Sequence, residues 1–216
     1  MKLVWDAVGE KKYETGVKKG VLYPQTEGAY PKGVAWNGLT AVTEKPTGAE
    51  VTKLYANDAV YGSLQSAEEF EATIEALTYP DEFEACDGSK ELVPGVYIGQ
   101  QDRQAFGLSY VTTVGNDTNG LAHGYKIHLV YGALAKPSEK AHNTINESPE
   151  ATTMSWDMST TPVPVEGFKP TSHLVIDSTK FSSEQMAALE AKLYGTESEE
   201  ASLPMPAEVA ALMKTA

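Results

Sequence analysis

Four histidines, one cysteine and a row of glutamates are the side chains of this 216-residue chain with the types and spacing to do chemistry. His123 and His128 are the nearest histidine pair, and imidazoles suitably placed bind transition metals. Five residues along a strand is an odd step, so these two side chains leave opposite faces. His142 and His173 lie far away in sequence, and the spacing predicts ordinary surface or loop histidines and no metal site. Glu71 and Glu75 share a face whether their segment is strand or helix, the minimum for paired-carboxylate acid–base work. That work also needs burial to split the two pKa values, whereas these residues stand in a row with Glu69 that reads as a solvated face. Asp117-Thr118-Asn119-Gly120 opens like a calcium loop but lacks the later glutamate, and reads as a hairpin turn. No Gly-rich phosphate loop follows a strand and no Gly-x-Ser-x-Gly elbow occurs. Cys86 has no histidine beside it in sequence and reads as a packed small residue. The chain is thus expected to be no enzyme and to hold no cofactor.

The elements that would position these residues are mostly strands, because the dominant hydrophobic period is two. Tyr125, Ile127, Leu129 and Tyr131 alternate with Lys126, His128 and Val130 between Gly124 and Gly132. Phe106, Leu108 and Tyr110 do the same upstream, and the Gly115–Gly120 cluster of Asn, Asp and Gly joins the two into a long hairpin. Met154, Trp156 and Met158 mark another strand, Leu174 and Ile176 a shorter one, and residues 33–42 and 49–55 two more. The stretch 67–79 fits a strand with Phe70, Ala72, Ile74 and Ala76 on one face, or a helix with Phe70, Ile74 and Leu77 in line; strand is adopted. A short helix is expected over 81–85, after Pro80. Ser182 with Gln185 forms a capping box, Phe181 and Met186 a hydrophobic staple, and Gly195 an end, which predicts a helix with Met186, Leu189 and Leu193 as its apolar stripe. The domain is read as residues 1–195, followed by an acidic tail, 196–216, whose short helix over 206–214 would fold only against a partner or neighbour.

Seventeen basic and thirty acidic residues give a net charge of −13. This argues against tight nucleic-acid binding, which draws its affinity from phosphate contacts. Residues 61–102 carry most of the net negative charge, with one basic and ten acidic side chains. The lysine doublets Lys11-Lys12 and Lys18-Lys19 form a turn-like basic patch that could complement this acidic stretch on a neighbouring copy. The single cysteine rules out an internal disulfide. The longest apolar run is far too short to span a bilayer, and the charged start Met1-Lys2-Leu3-Val4-Trp5-Asp6 does not read as a signal peptide. Synthesis in a cytoplasm is therefore expected.

Several stretches together resemble the major tail proteins, or tail tube subunits, of long non-contractile-tailed bacteriophages of Gram-positive hosts. They are LVWDAVGEKKYETGVKKGVLYP, GVAWNGLTAV, KLYANDAVYG, EATIEALTYPDEFEACDGS, the run from IGQQDRQAFGLSYVTTVGNDTNGLAHGYKIHLVYG to NTINESPEA, and GFKPTSHLVIDS. They span about residues 2–195. The resemblance implies a mainly β subunit, sandwich- or barrel-like with a flanking helix, that forms hexameric rings stacking into a virion tube for DNA. Its partners would be copies of itself and other tail proteins, with DNA passing without tight binding and no membrane involved. It carries over no catalytic residue.

Two placements follow. The face Glu69, Glu71, Thr73 and Glu75 would line the lumen, where acid repels phosphate; the competing placement puts it on the outside of the tube. The loop Glu44, Lys45, Pro46, Thr47, Gly48 and Ala49 would stack one ring on the next, by analogy with the extended loop of related tube proteins. The alternative function is a β-sandwich carbohydrate or cell-surface binding module, with Trp5, Trp36 and Trp156 as an aromatic platform.

Overall fold

The structure is a computed structural model that describes residues 2–145, 147 and 151–214. Part of one matching stretch, at 146 and 148–150, and the last two residues of the tail lie outside the described residues. Fourteen strands are described: β1 (Lys12–Pro24), β2 (Val34–Ala35), β3 (Leu39–Glu44), β4 (Thr47–Gly48), β5 (Val51–Ala56), β6 (Ala59–Gln65), β7 (Glu68–Glu69), β8 (Glu71–Ala76), β9 (Lys90–Val93), β10 (Val96–Ile98), β11 (Phe106–Asn116), β12 (Gly120–Ala135), β13 (Met154–Thr160) and β14 (His173–Asp177). Two helices follow, α1 (Ser183–Tyr194) and α2 (Pro206–Lys214). The fold is mainly β, as expected.

The long hairpin is real and central. Asn116 closes its turn, its side-chain oxygen accepting the backbone N–H groups of Thr118 and Asn119 at 3.3 and 2.7 Å. β11 and β12 then pair over their length, with Leu108 opposite Val130 and Tyr110 opposite His128. β1 lies on the far side of β11. The free edge of β12 forks: residues 126–130 pair with β14, and residues 133–135 with β13. Gly132 sits at the fork with φ +60°, and a Cβ there would lie 2.3 Å from the Thr161 carbonyl oxygen, so both the turn of the strand and the close approach require glycine. Beyond the fork the order continues β13–β8–β3. The sheet curls until its ends meet, with Trp36 N–H donating to the Gly20 carbonyl at 2.8 Å and Leu39 packed over Gly20.

Period two on such a sheet feeds two cores, not one buried face and one wet face. Leu22, Phe106, Leu108, Tyr110, Val130, Ile74, Trp156 and Met158 point inside the curl, where Trp36, Phe83 and Trp156 pack with ring centroids 4.7–6.0 Å apart. Val21, Tyr23, Val111, Ile127, Leu129 and Tyr131 point outward and are covered by Met186, Leu189 and Leu193 of α1. The helix begins as its cap predicts: Ser182 Oγ accepts from Gln185 N–H at 3.2 Å, and Gln185 Oε1 accepts from Ser182 N–H at 2.9 Å.

Stretch 71–76 is a strand, with Ala72, Ile74 and Ala76 fully inside. The expected helix over 81–85 is a single 3-10 turn, Asp81–Phe83, which buries Phe83. Cys86 is buried, and burial, followed by the adjacent Asp87 charge, pushes its thiol up to about 12, as suits a packed residue. Three expectations need correction. The stretch 33–42 is broken at Gly38 into β2 and β3. Lys12, Lys18 and Lys19 lie along a thirteen-residue strand, directly preceded by Lys11, and not in a turn; Gly16 and Lys19, both at positive φ, bulge β1 twice and scramble its alternation. The tail docks on its own chain instead of waiting for a partner. Leu203 N–H donates to the Tyr30 carbonyl, Tyr131 hydroxyl to the Pro204 carbonyl, and Leu203 and Val209 are buried in the outer core. Gly107 leaves the space for it, since a Cβ there would lie 2.4 Å from Leu203 Cδ2.

Trp36 and Trp156 are buried core residues, while Trp5 is 76% exposed, so the three tryptophans form no common platform. Trp156→Ala should therefore cost about 3–5 kcal/mol of stability, and Trp5→Ala less than about 0.5 kcal/mol in the isolated subunit. Denaturant unfolding checks both, and equal effects would contradict the placement.

Candidate functional site

Exposed apolar side chains mark out candidate contacts on this surface. Among the described residues β5 and β6 pair only with each other, and they turn through Asn57 and Asp58, both at the positive φ that a tight hairpin turn requires. On this hairpin Val51, Leu54, Tyr55, Val60, Tyr61 and Leu64 are 42–79% exposed. The β9–β10 hairpin exposes Leu92, Val93, Val96 and Tyr97 in the same way, and the N-terminal arm exposes Leu3, Val4, Trp5 and Val8. A lone two-stranded hairpin is marginal in water, and apolar patches of this extent mark interaction surfaces.

The loop from Glu44 to Ala49 is the root of the β5–β6 hairpin. Glu44 ends β3, Thr47 and Gly48 pair with Glu69 and Glu68, and Ala49 N–H donates to the Ala67 carbonyl. The segment that reaches outward is 51–65, beyond the loop singled out from sequence. The row Glu69, Glu71, Thr73 and Glu75 is split at Phe70, which places Glu69 on β7 with this root. Glu71, Thr73 and Glu75 face out of the curl on β8, opposite Ser159, Asp157 and Ser155 of β13. Thr73 is buried and donates to Asp157; Lys45 approaches Asp157 at 3.6 Å, and Lys136 pairs with Glu71 at 2.7 Å. Two lysines thus offset much of the acid on this wall.

Lys11, Lys12 and Lys18 are exposed. Lys12 lies 3.7 Å from Glu10, and Lys19 already pairs with Glu190 of α1 at 3.3 Å and lies over the Tyr194 ring. The basic patch is therefore partly committed within the subunit.

Sequence spacing missed one cluster altogether. β14 joins the edge of β12, bringing His173 within 3.3 Å of His128, measured from Nε2 to Nδ1. Glu44 Oε1 completes the group, 3.3 Å from His128 Nδ1 and 3.7 Å from His173 Nε2. The histidines are not ordinary surface residues. His128 stacks on Tyr110 at 4.5 Å and 6°, His173 stacks on Phe70 at 4.5 Å and 28°, and both side chains are largely buried. Burial holds His128 below its usual range and takes His173 down to about 4, outweighing the nearby Glu44 carboxylate, so both rings are neutral at pH 7. Tyr110 hydroxyl donates to Glu44 Oε1 at 2.6 Å. His128 Nε2 meets Thr112 Oγ1 at 3.0 Å, and Thr112 donates onward to Glu14, which Lys126 also holds. Burial opposes ionisation of Glu14, but the hydrogen bonds from Lys126 and Thr112 keep its carboxyl below the ordinary range. No sequence signal marks this cluster, because the pairing of β14 with β12 and the reach of β3 create it.

No protein-family model matches the chain, and no curated protein matches it. Among solved structures, the chain is similar to a sheath/tube terminator chain of an extracellular contractile injection system in its extended state. The TM-score is 0.36 at 9% identity, covering 76% of this chain and 97% of that one. It is similar also to a chain of the sheath–tube complex of such a system, with a TM-score of 0.32 at 8% identity, covering 81% and 94%. No helix among the described residues is long and apolar enough to cross a membrane.

Proposed function

We propose that this chain is a structural subunit of a bacteriophage tail tube, in which copies associate into rings, six per ring as the sequence resemblance implies, and the rings stack into a conduit for DNA. The observation that carries this reading is the contrast between a body with two dry cores and three apolar segments that find no cover within it. A monomer gains nothing from leaving Tyr55, Tyr61, Leu64 and Trp5 in water, whereas a ring or stack that covers them recovers roughly 1.5–3 kcal/mol for each large side chain. β1 also offers an edge for strand pairing, since β2 covers only Val21 and Leu22 of it. Repeated head-to-tail contact between such surfaces closes into rings or extends into filaments.

In this reading β5–β6 makes the ring-to-ring contact and the loop from Glu44 to Ala49 anchors it. Replacing residues 51–65 with a short Gly-Ser link should leave the body folded, because Glu50 and Ser66 already hydrogen-bond across the root at 3.0 Å. Sedimentation velocity should show that the variant no longer lengthens beyond rings, and normal tubes would overturn the assignment.

The outward face of β8 and β13 is assigned to the channel wall, where Glu71, Glu75 and Asp157 leave it mildly acidic beside Lys45 and Lys136. Such a wall repels phosphate weakly and lets DNA slide. Glu71→Lys with Glu75→Lys should preserve assembly while slowing DNA release from particles. Unchanged release would place this face elsewhere.

A further inference from the structure

Glu44 Oε1, His128 Nδ1 and His173 Nε2 form a triangle with sides of 3.3, 3.3 and 3.7 Å. A point equidistant from all three atoms lies about 2.0 Å from each, the length of a bond from Zn²⁺ to an imidazole nitrogen or a carboxylate oxygen. We infer that these three side chains form a binding site for one divalent transition-metal ion, with zinc the best match to the donor set.

The hydrogen bonds around the triangle point the same way. Thr112 donates its hydroxyl proton to Glu14, so its oxygen accepts from His128, which fixes the proton on His128 Nε2 and leaves the Nδ1 lone pair facing the centre. Within the triangle, at most a single N–H, that of His173 Nε2, is then available to both His128 Nδ1 and Glu44 Oε1. Donor atoms crowded around one shared proton are the arrangement a cation resolves. The supports outside the triangle at His128 are those that a metal-bound histidine requires: an acceptor on the far ring nitrogen, itself anchored to a carboxylate. Thr112 and Glu14 supply them, with Lys126 holding Glu14, and the Tyr110 hydroxyl orients Glu44. Ring stacking on Tyr110 and Phe70 holds both imidazoles in place before any ion arrives.

Access exists as well. His173 lines a cleft of about 840 Å³ with Phe70, Glu68 and Lys169, and the Glu44 side chain is 37% exposed. Three protein ligands leave a fourth position for water. The donors come from β3, β12 and β14, so the ion would tie the root of the β5–β6 hairpin to the central hairpin. The assigned role is a clamp that sets where the projecting hairpin starts, and the inference stands independently of the tube reading.

The test uses the full chain, stripped with a chelator and titrated with Zn²⁺ by calorimetry and with Co²⁺ by visible absorption. The expected result is saturable uptake of one ion per chain, a tetrahedral Co²⁺ spectrum and a raised thermal midpoint. Glu44→Gln and His173→Phe should each weaken uptake by more than about 100-fold, since loss of an outer partner alone costs about 10–100-fold. His142→Ala should leave uptake unchanged. His173→Phe keeps the stack on Phe70, and should either variant fail to fold, the other with the unmodified chain decides. Absence of stoichiometric uptake by the unmodified chain would overturn the site, and so would uptake that survives both substitutions.

Discussion

The β11–β12 hairpin, buried on both faces, is the constraint on which the rest of this structure depends. Its residues alternate between an inner core around Trp156 and an outer core under α1, so neither face can be left to water. A one-residue slip in register would exchange Tyr110 and Val130 for Val111 and Leu129, sending each side chain to the wrong core. The other elements of the body cover, extend or close this ribbon. β1 and β14 widen it, β13, β8 and β3 curl it, and α1 with the docked tail seals its outer side.

What could be read from sequence follows from where a signal is local. The cap at Ser182, the turn at Asn116 and the alternation through Tyr125–Tyr131 are written in adjacent residues, and each formed as read. β1 was not legible because two left-handed bulges reset its period. The docking of Leu203 against Gly107 and Tyr30 depends on a space in a strand nearly a hundred residues away, which no local pattern encodes. The histidine–carboxylate triangle is the extreme case. Its residues are separated by 84 and 45 positions, and only the pairing of β14 with β12 and the reach of β3 bring them together.

The same physics divides the molecule into a body and its contacts. The body packs its apolar side chains into two cores, down to the last helix. β5–β6, β9–β10 and the N-terminal arm instead keep clusters of apolar and aromatic side chains out in solvent, beside single exposed residues such as Ile145 and Phe168. Such exposed apolar segments suit contact with a neighbour. Glu44 lies at the junction between the two regimes, as the last residue of a core strand and the first before the projecting hairpin.

Electron microscopy of the purified chain over a range of concentrations tests this division most directly. The account predicts rings or hollow tubes, with β5–β6 at the contact between layers. Single subunits dispersed at every concentration, with their apolar hairpins left in water, would contradict it.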